Sequence, residues 1–348
     1  MSVRLRVRGI GAVAVLGLLL GAVATAPGAA AAAAASDEPE GFTIRDSRIT
    51  ESSGLAASRA HRGIYWTHND SDDGPYVYAV DSRTGKTVSR VTLSGIKPRD
   101  VEAISVGPDG NVYVGDIGDN LDGSWSEVWI YRFREPERLR GDVTVTPTRY
   151  TVRYADGPRN AESLMVHPRT GRVYIASKND KGKGGVYAAP AKLNPGGVNT
   201  FSRVAKIDFE ATDGAFSPDG SRLVLRGYFS AFGYKWRDGK PEKIGSVPVP
   251  LARQGESVTF APDGRTLMYG SEGEGSGVDP ARLNGEAAPP AAQDEGSGSS
   301  DSKSPRGGDG NGSSGGDDNR TLTLGAGTFV AALIAWFGLR RLFTRRRD

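Results

Sequence analysis

The chain contains no cysteine. That excludes a disulfide framework, a thiolate metal centre, a cysteine nucleophile and lipid attachment through cysteine. Histidine is almost as scarce, with three in 348 residues. A His-Glu-x-x-His helix and paired imidazole ligands are therefore absent, and no phosphate-cradling Gly-x-x-x-x-Gly-Lys loop occurs. Hydrophobic residues make up 37% of the chain and 48 residues are glycine, a balance that points to strands and turns rather than helix bundles. An excess of one charge is also lacking where it would matter. The net +3 comes from the ends, from Arg4, Arg6 and Arg8 and from Arg340, Arg341, Arg345, Arg346 and Arg347. Residues 276–320 are acidic and residues 36–275 carry no net charge, so nothing marks a nucleic-acid surface.

What is present at the two ends predicts an address. Three arginines precede an uncharged apolar run from Ile10 to Ala24, followed by alanines to Ala35, the pattern of a secretory signal peptide over 1–35. Between Arg320 and Arg340 lie 19 uncharged residues. At 1.5 Å per residue they would span roughly 28 Å as a helix, close to a hydrocarbon core of about 30 Å. Residues 321–339 are thus predicted to be a transmembrane helix, and the basic tail 340–348 to be cytoplasmic. The predicted location is the cell membrane, single-pass, with the folded part outside. Residues 276–320, rich in Gly, Ser, Asp, Ala and Pro, are predicted to be a disordered linker. They hold a Gly-x-Ser-x-Gly match at Gly312–Gly316, which in such sequence lacks the strand–turn–helix setting of a nucleophile elbow.

The middle, 36–275, is a repeat. Its clearest copies start at Glu102, Glu162 and Glu256, a fourth at Thr212-Asp213 and a looser first one at Glu51, spaced by 51, 60, 50 and 44 residues. A period near 50 marks a propeller or solenoid array. Each copy alternates apolar and small residues, turns at Pro-Asp-Gly and continues into a strand rich in Val, Tyr and Leu. Two further strands follow, and four antiparallel strands make a propeller blade. The predicted fold is all-β, a propeller of about five four-stranded blades, with six as the alternative. The stretch Phe42–Ile49 is predicted to supply the outer strand of the last blade and close the ring.

Phe216-Ser-Pro-Asp-Gly-Ser-Arg-Leu223 resembles the WD-like repeat of the Tol-system periplasmic propeller. The segment 42–275 is similar to secreted WD-like propeller proteins of high-GC Gram-positive bacteria, a likeness carried also by Tyr65–Asp70 and Gly115–Asn120. The resemblance implies the fold. Some relatives are named for phytase-like or lactonase-like hydrolysis, but the dense calcium-carboxylate cluster of phytase-type propellers has no residue-by-residue match here.

In a propeller, the loops before the innermost strand and after the second strand open on one face. Two polar sets are therefore predicted to meet there. One is Glu51, Glu102, Glu162 and Glu256. The other is His68, Asn69 and Asp70, with Asp116, Asp119, Asn120, Lys178 and Arg226. Carboxylates, Asn side chains and carbonyls suit calcium, the one cofactor the pattern allows. Each glutamate follows an arginine by three residues, Arg48, Arg99, Arg159 and Arg253. The competing expectation is that these arginines pair with the glutamates between blades and hold the ring. His61 and His167 are expected in solvent, and only His68 lies where a proton-transfer group would act. Two functions remain. One is a membrane-tethered propeller that binds an envelope protein or a small polar ligand through its top face, without catalysis. The other is a metal-dependent extracellular hydrolase of phosphoesters or lactones.

Overall fold

The computed structural model describes residues 38–290 apart from 71–72, 121–122, 179–181 and 253. The predicted signal peptide, the linker from residue 291 onward, the membrane helix and the basic tail lie outside the described residues. No described helix is long and apolar enough to cross a membrane.

Strands pair in five antiparallel runs of four. The first is β2 (Ser52–Ala57), β3 (Ile64–Asn69), β4 (Tyr76–Asp81) and β5 (Lys86–Leu93). The second is β6 (Val101–Val106), β7 (Asn111–Asp116), β8 (Val128–Arg134) and β10 (Thr148–Tyr154), with β9 (Gly141–Val145) between the last two in sequence. The third is β11 (Ala161–Val166), β12 (Val173–Ser177), β13 (Gly185–Ala188) and β14 (Val198–Lys206). The fourth is β15 (Asp213–Phe216), β16 (Arg222–Arg226), β17 (Ala231–Arg237) and β18 (Lys240–Ser246). The fifth is β19 (Gly255–Phe260), β20 (Thr266–Ser271) and β21 (Gly277–Arg282), completed by β1 (Phe42–Thr43). The first strands of the runs, β2, β6, β11, β15 and β19, touch in that order, and β19 returns to β2. This is a propeller-type repeat fold. Two parallel ladders cross between runs: β9 adds to β5, and β10 pairs with β14.

The core is divided in the same way, with one apolar cluster at each boundary between runs. Trp66 packs with Val112, Val114 and Phe133 between the first and second, and Leu164 and Tyr187 with Ile130 and Val152 between the second and third. Neighbouring residues serve opposite boundaries. Leu223 and Leu225 face the third run, whereas Val224 between them faces the fifth. A sheet buried on both faces needs apolar residues on both, which is why Leu223-Val-Leu225 reads as an unbroken apolar run.

The repeated turns are explained residue by residue. Gly110, Gly220 and Gly264 have φ of 69°, 71° and 68°, a region open to glycine at no steric cost. Before each, an aspartate accepts the N–H two residues on: Asp109 from Asn111, Asp219 from Ser221 and Asp263 from Arg265, at 3.0–3.2 Å.

Phe42 pairs with Val278 and Thr43 with Gly277, so the N-terminal stretch does form the outer strand of the fifth run. Ile44 and Ile49 are buried behind it. The linker boundary at 276 is corrected. Gly277–Arg282 is a strand, and Leu283 and Ala288 are buried against Val258 and Val247. Glycine, proline and acidic residues hid this segment, whose apolar anchors are few and widely spaced. Pro280 is tolerated because β1 ends before reaching it, so its missing N–H leaves no partner waiting.

Candidate functional site

Four of the innermost strands carry a bulge at their start. On β6, Val101 faces Asp116 and Ala103 faces Gly115, so Glu102 is an extra residue with no opposite number. Glu162 stands in the same place on β11 and Glu256 on β19. An extra residue of this kind twists the strand and re-aims its side chain. On β2 the extra residue is Ser53. β15 has no bulge, and Asp213 pairs with Arg226 directly.

This register corrects the alignment of the first repeat. The Glu51 carbonyl accepts the Asp70 N–H at 2.9 Å. The Asn160 carbonyl accepts that of Lys178 at 2.9 Å, and the Gln254 carbonyl that of Glu272 at 3.2 Å. Glu51 is therefore the counterpart of Asn160 and Gln254, and Ser53 is the counterpart of the three glutamates. The misfit arises because the first copy carries its glutamate two residues early.

The three bulge glutamates converge. Glu102 is 2% exposed, and Glu162 and Glu256 are 6% exposed. Ser53 Oγ donates to Glu102 Oε2 at 3.2 Å, across the boundary between the first and second runs. Lys178 forms an ion pair with Glu162 and donates to Tyr228 Oη at 3.0 Å. Gln254 Nε2 donates to Glu256 Oε1 at 2.5 Å. Asp70, Asp100 and Glu102 each offer an oxygen within 4.8 Å of the other two. Asn120 Nδ2 donates to Asp100 Oδ2 at 3.3 Å.

Burial, then Asp70, Glu162 and Asp100, push Glu102 well above the usual carboxylate range. Burial, then Glu162 and Glu272, do the same to Glu256. Burial opposes the Lys178 charge, but Glu162, Tyr228 and Glu102 outweigh it and hold the ammonium well above its ordinary range. Among the described residues this is a buried acidic mouth with one lysine in its midst.

The other expected residues are not brought into this mouth. Asp116, buried, accepts the N–H groups of Arg99 and Asp100 and the Tyr131 hydroxyl, and so ties down the loop before β6. Asp119 accepts Trp125 N–H and Ser124 Oγ inside its own turn. Asn69 Oδ1 accepts Thr50 and Glu51 N–H, and its Nδ2 donates to Arg48 O and Asp73. Arg226 is fully buried and donates to the carbonyls of Ser257 and Gly270 at 2.6 and 2.8 Å, clasping the fourth run to the fifth. Asp213 assists by accepting Val258 N–H at 2.8 Å. Asn69, Asp116 and Arg226 lie one residue too deep in the ladder, where they serve the backbone, and Asp119 serves its own loop.

His68 is 1% exposed, and burial pulls its pKa down. Its Nδ1 donates to the Asn69 carbonyl at 2.9 Å, and its Nε2 faces Gly54 in the interior, so it is not poised for solvent proton transfer. His167 is buried against Phe216 and accepts the N–H groups of Arg169 and Thr170, while His61 bonds the Pro136 carbonyl. Neither is the solvated residue expected. Nor, among the described residues, do Arg48, Arg99 and Arg159 form ion pairs with the glutamates. Arg48 binds Asp46, Arg99 is sandwiched between Trp125 and Trp129, and Arg159 binds Asp156 and Tyr187 Oη. Arg253 lies outside the described residues.

Four residues escaped the sequence reading: Ser53, Asp100, Tyr228 and Gln254. Asp100 and Gln254 each sit two residues before a bulge glutamate, a spacing that would have found them. Tyr228 carries no such signal. A cavity of 1690 Å³ opens at the other end of the innermost strands, lined by Leu55, Val106, Val166, Phe216 and Phe260. None of the mouth carboxylates lines it, so the two ends differ in chemistry.

No protein-family model and no curated protein matches the chain. Solved structures do. One is a chain of a mitotic checkpoint complex, at 12% identity and a TM-score of 0.37, covering 66% of this chain and 63% of that one. The chain thus spans less than two thirds of that relative's length. Another is a gluconolactonase from Xanthomonas campestris, at 13% identity and 0.43, covering 70% and 89%. A third is a soluble aldose sugar dehydrogenase from Escherichia coli, at 12% and 0.44, covering 70% and 99%. At such identities a likeness reaches no further than fold, and the propeller assignment stands on the order of the chain's own strands.

Proposed function

We propose that residues 38–290 form a closed five-bladed propeller whose Glu102–Glu162–Glu256 mouth binds a positively charged ligand or partner without catalysis, displayed outside the cell on a membrane-anchored stalk. The five runs of strands and the return of β19 to β2 support the ring. The observation that carries the binding reading is the convergence of three bulge glutamates around Lys178. Three strands of different repeats each spend an irregularity on one acidic point, and acidity so gathered favours a cation. The burial of His68 removes that histidine from proton transfer at this mouth.

One observation favours the second reading, a metal-dependent hydrolase: the close approach of Asp70, Asp100 and Glu102. A single set of assays separates the two. Spermidine, as a polyvalent organic cation, should raise the melting temperature of the purified full-length chain, and Glu162→Gln with Glu256→Gln should abolish the rise. Turnover of a nitrophenyl phosphate or an aryl lactone with added calcium, lost on chelation, would establish the hydrolase instead.

A further inference from the structure

We infer that Asp70, Asp100 and Glu102 form a calcium site within the mouth, separate from the Glu162–Lys178 ion pair. The inference deepens the proposed function, since it gives chemistry to one corner of the same mouth. Three oxygens within 4.8 Å of one another all lie within about 2.8 Å of a common centre, close to the roughly 2.3–2.6 Å at which calcium binds oxygen. The donors are all hard oxygens, and the chain has no cysteine, so a soft or borderline metal has no advantage here.

A second observation points to a ligand. Glu102 is 2% exposed, yet its Oε1 has no hydrogen-bond partner among the described residues, while Oε2 has only Ser53 Oγ. A buried carboxylate oxygen left without a donor is costly unless a cation or a proton meets it. The ammonium nearby does not meet it: Lys178 Nζ binds Glu162 and Tyr228 and makes no hydrogen bond to Glu102 Oε1. Placement adds to this. Asp70 follows β3 of the first run, and Asp100 and Glu102 open the second, so the ion would bridge two runs. Gly118 is needed beside it, since a Cβ there would lie 2.5 Å from Asp100 Oδ2 and 2.7 Å from Glu102 Cγ.

The test is equilibrium dialysis of the purified full-length chain against radioactive calcium at neutral pH, with melting temperature read with and without a chelator. The expected result is one calcium per chain and a lower melting temperature after chelation. Glu102→Gln should weaken binding at least about tenfold, since affinity follows ligand charge. Asp142→Asn, on the far strand β9, should leave it unchanged. Should Glu102→Gln fail to fold, Asp100→Asn carries the same expectation. The inference is overturned by the absence of stoichiometric calcium, or by calcium that Glu102→Gln and Asp100→Asn leave in place. It is also overturned by a stability that ignores the chelator. A spermidine response that survives while calcium fails removes the metal and leaves the mouth reading intact. Calcium binding without any spermidine response does the reverse.

Discussion

Lys178→Met is the most informative single change at the mouth. The substitution keeps an unbranched side chain of similar reach and deletes the ammonium that Glu162 and Tyr228 Oη hold. The side chains of the pair are 12% and 8% exposed, so solvent would do little to screen the abandoned carboxylate. Removing one partner of a buried ion pair costs about 3–5 kcal/mol. For a domain of this size that is a fall of roughly 6–20 °C in melting temperature. The companion variant is Lys178→Met with Glu162→Gln, in which no charge is stranded. It should recover most of the loss and end within about 2 kcal/mol of the parent, because neutralising both partners removes the desolvation penalty with the attraction. Urea titration of the parent, the two single variants and the double variant closes the cycle. If Lys178→Met costs under about 1 kcal/mol, or if adding Glu162→Gln makes matters worse, the pair is not the electrostatic centre of the mouth and the reasoning fails.

Glu256→Gln should stabilise the protein near neutral pH. Its folded pKa is raised by burial, so the native state bears a cost above the unfolded value of 4.5 that grows as pH rises, and the advantage of the variant should vanish as pH falls to 4.5 in a series of melting curves. Deleting residues 38–50 removes Ile44 and Ile49 from the core and uncovers the edge of β21, so calorimetry should show a loss of at least about 3 kcal/mol or outright aggregation. Unchanged melting would refute the closing role of β1. On the proposed topology, protease added to intact cells should release a soluble fragment ending in the Gly/Ser-rich segment, and protection until lysis would overturn it.

The fold was legible where local chemistry repeats. Pro108-Asp-Gly110, Pro218-Asp-Gly220 and Pro262-Asp-Gly264 each announce a turn, and their spacing announces the array. The N-terminal strand was legible because something had to pair with the last sheet. The third strand of that sheet was not, since Gly277–Arg282 owes its shape to β20 and β1 rather than to its own composition. At the site, Glu102, Glu162 and Glu256 could be read because a glutamate recurs at the same spacing before the turn proline in three copies. Glu51 misled because a bulge is a matter of pairing register, and one sequence cannot show which residue is extra. Asp116 and Arg226 misled for a similar reason. A charged residue at a strand end looks the same in sequence whether it faces a ligand or satisfies backbone groups one pair deeper.

The parallel ladders have a consequence for how the mouth would move. Backbone hydrogen bonds cross from the first run to β9 and from the second to the third, and no described ladder crosses the remaining boundaries. Those remaining boundaries are closed by side chains and single contacts, such as Lys178 to Tyr228 and Arg226 to Ser257. Breathing should therefore concentrate in the arc holding the fourth and fifth runs, where fewer backbone bonds must open together. Asp70, Asp100 and Glu102 stand on the stiff arc, at fixed mutual distance. Glu256 stands on the compliant one. On that expectation the mouth would act like a vice, with one jaw fixed and one that travels, and the boundary that Lys178 crosses to Tyr228 would be where they meet.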